Sequence, residues 1–435
     1  MGPAPCRALT FTVFAGLKFP DLNVNRVFPL QEWIVTSRVL PFVMLSFVLA
    51  AAASAQTLPE GVPETARMHF GRIRLNPTVA LTNAGVDDNV FNASDVDHPQ
   101  SDFTMTLTPK SDLWFPLGRS WVKASVNEDF VYYREFASER SINSGYRGDI
   151  IVPLNRITFN VGGGYVNTRD RPGYEIDARS RHTGTDYRGS AELKALGKTF
   201  VSVGGSRAHI GFEPDAVFLG RSLRTELNRT MTISNVTVRH QLTPVTSVSA
   251  TVARETDRFE YSAIRDSDST HAEMGVRFNA RLGGSAALGF RNFQPLDSQV
   301  PAYQGATARV DMSVTLVGAT RIGVQLGRDI QYSLEATQPY YIESGGGLSI
   351  RQAISGPFDF IARIGAQRLS YRGRIGTPGL VDRTDSIQSF GGGLGYRVGR
   401  DMRIGFNVDK QQRTSDLARH SYGGVRYGTT VTYGY

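Results

Sequence analysis

From His69 to the end of the chain, apolar and polar residues alternate in one segment after another. Each segment runs for about 9 to 13 residues, and the two-residue period is that of a strand whose faces meet different media. In Arg403 to Asp409, Ile404, Phe406 and Val408 share one face, while Arg403, Gly405, Asn407 and Asp409 share the other. Arg309 to Leu316, Arg321 to Gly327 and Glu273 to Asn279 repeat the arrangement. No helical period competes over a comparable length. Roughly 18 such segments are present; Thr199 to Phe212 and Asn228 to Leu242 are ambiguous in phase, which suggests bulges there.

The connectors carry a second signal. Short ones, such as Pro116-Leu117-Gly118, Pro153-Leu154-Asn155, Leu196-Gly197-Lys198 and Val398-Gly399-Arg400, follow the even segments. Longer polar ones, among them Asn83 to Ser101, Arg169 to Arg181, Glu213 to Glu226, Pro295 to Tyr303 and Arg372 to Thr384, follow the odd ones. Short turns at one end and long loops at the other are how an antiparallel barrel is laid through an outer membrane. The pattern predicts an all-β chain: a transmembrane antiparallel up-and-down β-barrel of about 18 strands. Unpaired backbone groups are costly in hydrocarbon, so the sheet must close, the strand near Phe70 pairing with the last. Trp114, Phe115, Trp121, Tyr132, Tyr133, Tyr371, Tyr396 and Tyr433, near strand ends, suit interfacial girdles.

The amino terminus reads differently. Val39 to Ala55 is almost wholly apolar, follows Arg38 and ends Ala53-Ser54-Ala55, the form of a secretory signal with a small-residue cleavage site. A signal starts near its positive residues, so 1–34 is read as an upstream, non-native extension, 35–55 as the signal, 56–68 as a periplasmic segment and 69–435 as the barrel. Val35 is one candidate for the true start. The leader takes with it Cys6, the chain's one cysteine, and a thiol-free mature chain suits an oxidising compartment. At the other end, Tyr427, Val431, Tyr433 and Tyr435 lie at two-residue spacing and resemble the insertion signal of bacterial outer-membrane barrels, which prefers a final phenylalanine.

Composition then excludes several classes. With 45 glycines among 435 residues the chain is poor material for helical bundles, and a mean hydropathy of −0.23 is too low for a polytopic helical membrane protein. The formal charge of +8 raises the question of an acidic partner. If the apolar row faces lipid, the other row lines the lumen, and Arg72, Arg74, Arg147, Arg188, Arg277, Arg309, Arg321, Arg363, Arg403 and Arg426 are read as pore-lining. Lys123, Lys194, Arg291, Arg351 and Arg397 share that row. The opposing acids, Asp129, Asp149, Glu192, Glu273, Asp311, Asp329, Glu343 and Asp409, are fewer, so anionic solutes or an acidic polymer are favoured. The alternative is that acids neutralise these arginines in cross-strand ladders that brace the wall.

Other chemistry is weak. Asp87, Asp88, Asp95, Asp97 and Asp102 lack the spacing of a divalent-cation loop and read as a solvated loop. The seven histidines are scattered, so no metal site and no cofactor are expected. Ser206 with His209, or His420 with Ser421, lacks a nucleophile elbow, and no enzyme is expected. Gly391-Gly392-Gly393-Leu394-Gly395 lacks the ending of a phosphate loop and reads as structural glycine in a strand. No basic stretch interleaved with aromatics points to nucleic acid.

Leu75-Asn76-Pro77-Thr78-Val79, Gly85 to Phe91 and Leu107-Thr108-Pro109, with Phe218 to Leu223 and Leu227 to Thr230, resemble the family of putative outer-membrane beta-barrel porins. The resemblance extends over most of the chain after the leader. It implies a large barrel in the outer membrane of a Gram-negative-type bacterium, polysaccharide traffic, and no catalytic residues. The expected partners are outer-membrane lipid and lipopolysaccharide, the barrel-assembly machinery and polysaccharide export components. The function expected is a porin-like channel for exported polysaccharide or anionic solutes. Two other classes compete with it: a structural or adhesive surface protein with a plugged lumen, and an outer-membrane hydrolase.

Overall fold

The computed structural model describes residues 66–316, 320–376 and 382–434. The extension, the signal segment and Tyr435 lie outside them. Eighteen antiparallel strands close into one barrel. They are β1 (Ile73–Asp87), β2 (Asp102–Leu117), β3 (Ser120–Tyr133), β4 (Ser141–Pro153), β5 (Ile157–Asp170) and β6 (Ser180–Leu196). Next come β7 (Thr199–Phe212), β8 (Arg229–Thr243), β9 (Thr246–Phe259), β10 (Ser267–Asn279), β11 (Leu282–Pro295) and β12 (Tyr303–Leu316). The wall is completed by β13 (Thr320–Tyr332), β14 (Tyr340–Ser355), β15 (Phe358–Arg372), β16 (Thr384–Val398), β17 (Met402–Thr414) and β18 (Tyr422–Tyr433).

Each strand pairs with its neighbours in the chain, and β1 pairs with β18 from Val79 opposite Tyr433 to Asp87 opposite Arg426. The wall starts at Ile73 rather than near Phe70. Phe70 belongs to a three-residue strand, Met68–Phe70, folded back as a hairpin on β1. The long loops gather at one end and the short turns at the other.

The expected irregularities are met in part. β7 and β8 pair without interruption from Ile210 opposite Arg229 to Thr199 opposite His240, whereas β8 shifts register against β9 between Gln241 and Thr243. A further bulge lies in β1, between Leu81 and Gly85, at the closing seam. Asn83 there has φ 52°, a left-handed conformation that asparagine tolerates. The extra residues return Gly85 and Asp87 to the interior phase set by Thr82. The bulge brings the backbones of β1 and β18 so close that a Cβ on Gly85 would run into the Tyr427 carbonyl.

One phase of the wall is an exposed apolar row: Val203, Val252, Met274, Leu288, Ile364 and Leu394 are all more than half exposed. The other phase is buried and mostly polar. Trp114, Tyr133 and Tyr371 fall on it, at 5%, 5% and 0% exposure, so they are interior packing residues and not part of a girdle. Tyr132, Tyr396 and Tyr433 are on the exposed row.

Candidate functional site

Nine of the ten arginines read as pore-lining lie on the interior phase: Arg74, Arg147, Arg188, Arg277, Arg309, Arg321, Arg363, Arg403 and Arg426. Arg72 is not on the wall; it sits in the exposed turn between the short leading strand and β1. The interior row divides into two kinds. Arg188 bonds Asp149 at 2.5 Å and Asp186 at 2.7 Å, Arg403 bonds Asp359 at 2.6 Å, and Arg426 pairs with Asp87 across the seam. Arg147 approaches Asp186 at 3.7 Å. Arg239, whose strand was ambiguous in phase, faces inward and bonds Glu192 at 3.1 Å. These are cross-strand braces.

The arc from β10 to β15 is different. Arg277, Arg321 and Arg363 have no carboxylate in ion-pair range among the described residues. Arg321 donates to Ser313 Oγ at 3.2 Å and Arg363 to Asn407 Oδ1 at 3.3 Å. Arg321 also stands directly opposite Arg351 in the β13–β14 register, and like charges placed so destabilise a sheet. The same arc carries Glu273, Asp311, Asp329, Glu343 and Asp359 on its inner face, and Arg309 stands among Glu273, Asp329 and Glu343. Positive charge gathers where Arg321 meets Arg351.

A chamber opens on the inner wall between Arg229, Glu255, Asp257, His271, Arg291 and Asp329. Arg291 bridges Glu255 at 2.7 Å and Asp329 at 3.0 Å, Arg229 meets Asp257 at 3.5 Å, and His271 Nε2 lies 3.4 Å from Glu255. Sequence reasoning missed Glu255, Asp257 and His271, although the alternation through Val248, Ala250 and Val252 places the first two on the inner phase and that through Ala272 and Met274 places the third.

The mouth at the long-loop end is bridged by interlocked loops. The segment 171–179, between β5 and β6, crosses to strands far around the wall. Arg413 of β17 donates to the carbonyls of Tyr174 and Glu175, each at 3.1 Å, to Asp177 Oδ2 at 2.5 Å and to Asp385 Oδ2 at 2.6 Å. Tyr422 donates to Asp177 Oδ1 at 2.8 Å. Glu175 accepts from Ser333 Oγ at 2.6 Å and from the Leu334 amide at 2.8 Å. Arg265 donates to the carbonyls of Ser333 and Leu334 at 2.9 Å and to Glu226 at 2.6 Å. Under these bonds Ile176, Phe212, Leu223, Leu227 and Leu334 form an apolar plug. Leu223 and Leu227 come from a short helix, Leu223–Leu227, capped by Ser222 Oγ on the Thr225 amide.

Burial pushes the Glu175 carboxyl up, against the pull of its two donors and of Arg383 and Arg413. Burial pulls the His420 imidazole down, and Arg413 and Arg383 push the same way. Of the long connectors, Arg169 to Arg181 and Glu213 to Glu226 turn in, together with the 333–339 loop. The acidic loop is not simply solvated. Asp102 accepts from the amides of Glu135 and Phe136 at 3.1 Å, and Asp88 accepts from the Val425 amide at 2.6 Å. The run Gly391 to Gly395 lies within β16, where a Cβ on Gly395 would strike the Arg403 guanidinium. Tyr427, Val431 and Tyr433 share the outward phase of β18, the last strand. Among the described residues no cluster of three or more His, Cys, Asp or Glu is placed to hold a metal.

A family model described as "Putative beta-barrel porin 2" matches residues 64–435. No curated protein matches the chain. Solved structures similar to it include Pseudomonas aeruginosa OccK2 (OpdF) in complex with glucuronate, at 10% identity and TM-score 0.45, covering 82% of this chain and 97% of that one. A BenF-like porin from Pseudomonas fluorescens Pf-5 has 10% identity and TM-score 0.45 over 84% of this chain and 99% of its own. Acinetobacter baumannii OccAB2 has 10% identity and TM-score 0.41 over 83% and 96% respectively. With the family match running from before the first strand to the last residue, the chain belongs to the putative beta-barrel porin 2 family, porin-like channel proteins of the Gram-negative outer membrane.

Proposed function

We propose that this channel carries anionic solutes, acidic saccharides among them, along the arginine arc of its inner wall, with the interlocked loops governing entry. The observation that carries this reading is Arg321 facing Arg351 in register beside Arg363. Such a juxtaposition weakens a sheet unless something anionic visits it, and confined charge of one sign biases what passes. Exported acidic polysaccharide is the polymeric case of the same preference, and its passage requires the cap to open. The interior carboxylates nearest to a catalytic arrangement, Glu255 and Asp257, are tied to Arg291 and Arg229, which supports a channel and not a hydrolase.

Swelling of proteoliposomes tests the reading. Uronate-type sugars should enter faster than neutral sugars of equal size, and the Arg321→Gln, Arg351→Gln, Arg363→Gln triple variant should lose the difference. Equal rates for both sugars in the wild type would refute it. The cap favours a second reading, a surface protein with a plugged lumen. Deleting 172–178 separates the two: the channel gains conductance, whereas a permanently plugged wall stays silent.

A further inference from the structure

The lipid-facing row carries a feature that the channel does not use. On β7, β9, β13, β15 and β17, though not on β11, a cation stands beyond the apolar belt, on the side of the long loops. Arg254 follows Val252, Arg328 follows Leu326 and Lys410 follows Val408, two residues on in each case. Arg207 and Arg368 stand beyond Val203 and Ile364 with only Gly205 or Ala366 between. All five are exposed, Arg254 to 71% of its side chain. Arg254 stands opposite Ser234 of β8, and the register runs Arg328, Ser344, Arg368 across β13 to β15.

Only Arg254 has an acid in range, Asp268 at 3.1 Å; among the described residues Arg207, Arg328, Arg368 and Lys410 have none. Arg328 donates instead to Ser344 Oγ at 2.7 Å, which leaves its charge unneutralised. The opposite arc differs, since Phe103, Tyr132 and Ile142 keep its outer row apolar and exposed up to the loop end.

A cation on a lipid-facing wall is tolerated near the interface and costly at the midplane, and its aliphatic stem lies along apolar surface while the head reaches the polar zone. Arg328 and Arg368, two strands apart in register and so about 9.6 Å from each other, are far enough apart to take separate anionic groups. Guanidinium binds phosphate oxygens in pairs. We propose that this collar on β7 to β17 binds the phosphate groups of an outer-leaflet phosphorylated glycolipid of the lipid A type, and so gathers that lipid on one arc of the barrel.

The test uses the full chain purified in non-ionic detergent, with lipid A, dephosphorylated lipid A, inorganic phosphate and an acidic polysaccharide as probes. Thermal unfolding and native mass spectrometry give the readouts. Lipid A should raise the melting temperature and stay bound, and the other three should not. Replacing Arg207, Arg254, Arg328, Arg368 and Lys410 by Gln should abolish both effects and leave ion conductance unchanged. If that variant does not fold, Arg328→Gln and Arg368→Gln singly should each weaken retention about tenfold, the loss of one charge-assisted contact. The proposal is overturned if dephosphorylated lipid, free phosphate or polysaccharide matches lipid A, or if the substituted proteins bind lipid A as the wild type does.

Discussion

Arg413 is the residue on which the bridged mouth turns. Its side chain is fully buried, and it satisfies two carbonyls and two carboxylates from two separate parts of the chain. Arg413→Ala takes the ion-pair partner from Asp177 and leaves Asp385 with Arg383 alone; breaking a buried pair costs about 3–5 kcal/mol. That cost falls on the cap and spares the wall, so limited proteolysis within 171–179 should accelerate strongly while the barrel stays resistant to heat in detergent. His420 gives the cap a pH dependence. Its folded-state pKa lies below the ordinary imidazole value, so its contribution to stability is complete above about pH 6.5 and is lost as pH falls below it. On protonation it gains charge beside Arg413 and Arg383, opposed by Asp385 and Asp177. Glu175, raised by burial, runs in the opposite sense. The histidine share of cap protection should therefore fall as pH drops below the ordinary imidazole value, and the His420→Gln protein should lack that share in hydrogen exchange.

At the scale of elements, the strands were legible because alternation is a local signal, repeated in each strand and checked by the connector lengths. The phase of Arg403 to Asp409, Arg309 to Leu316 and Glu273 to Asn279 follows directly from it. The bulge at Asn83 was not legible, because it answers to the meeting of the first and last strands, which no local pattern records. Trp114, Tyr133 and Tyr371 were misplaced for a related reason: a strand-end aromatic can face either medium, and only the register decides. The turning-in of loops was partly visible from their length. Their partners were not, since Glu175 with Ser333 and Arg265 with Leu334 join residues remote in sequence. The seam itself is testable, since β-branched side chains find no room where Gly85 meets Tyr427 and Gly428. Gly85→Val should lower the temperature at which the folded barrel loses its compact migration, with a cost above about 1 kcal/mol.

Closure is the property of the whole molecule from which the others follow. Seven register pairs join β1 to β18, and without them two edges of unsatisfied amides and carbonyls would lie in hydrocarbon. A chain truncated before Val425 should not insert as a folded protein, as judged by heat-modifiable migration. Once closed, the wall has an apolar outside and a charged inside, and the proposed anion preference rests on Arg321, Arg351 and Arg363. The most direct measurement is the reversal potential in a planar bilayer under a potassium chloride gradient, using the protein with 172–178 deleted so that the mouth is open. The expected result is a current carried mainly by chloride, with the anion-to-cation permeability ratio falling about threefold or more in the Arg321→Gln, Arg351→Gln, Arg363→Gln protein. Cation preference, or no current from a correctly folded barrel, would contradict the account.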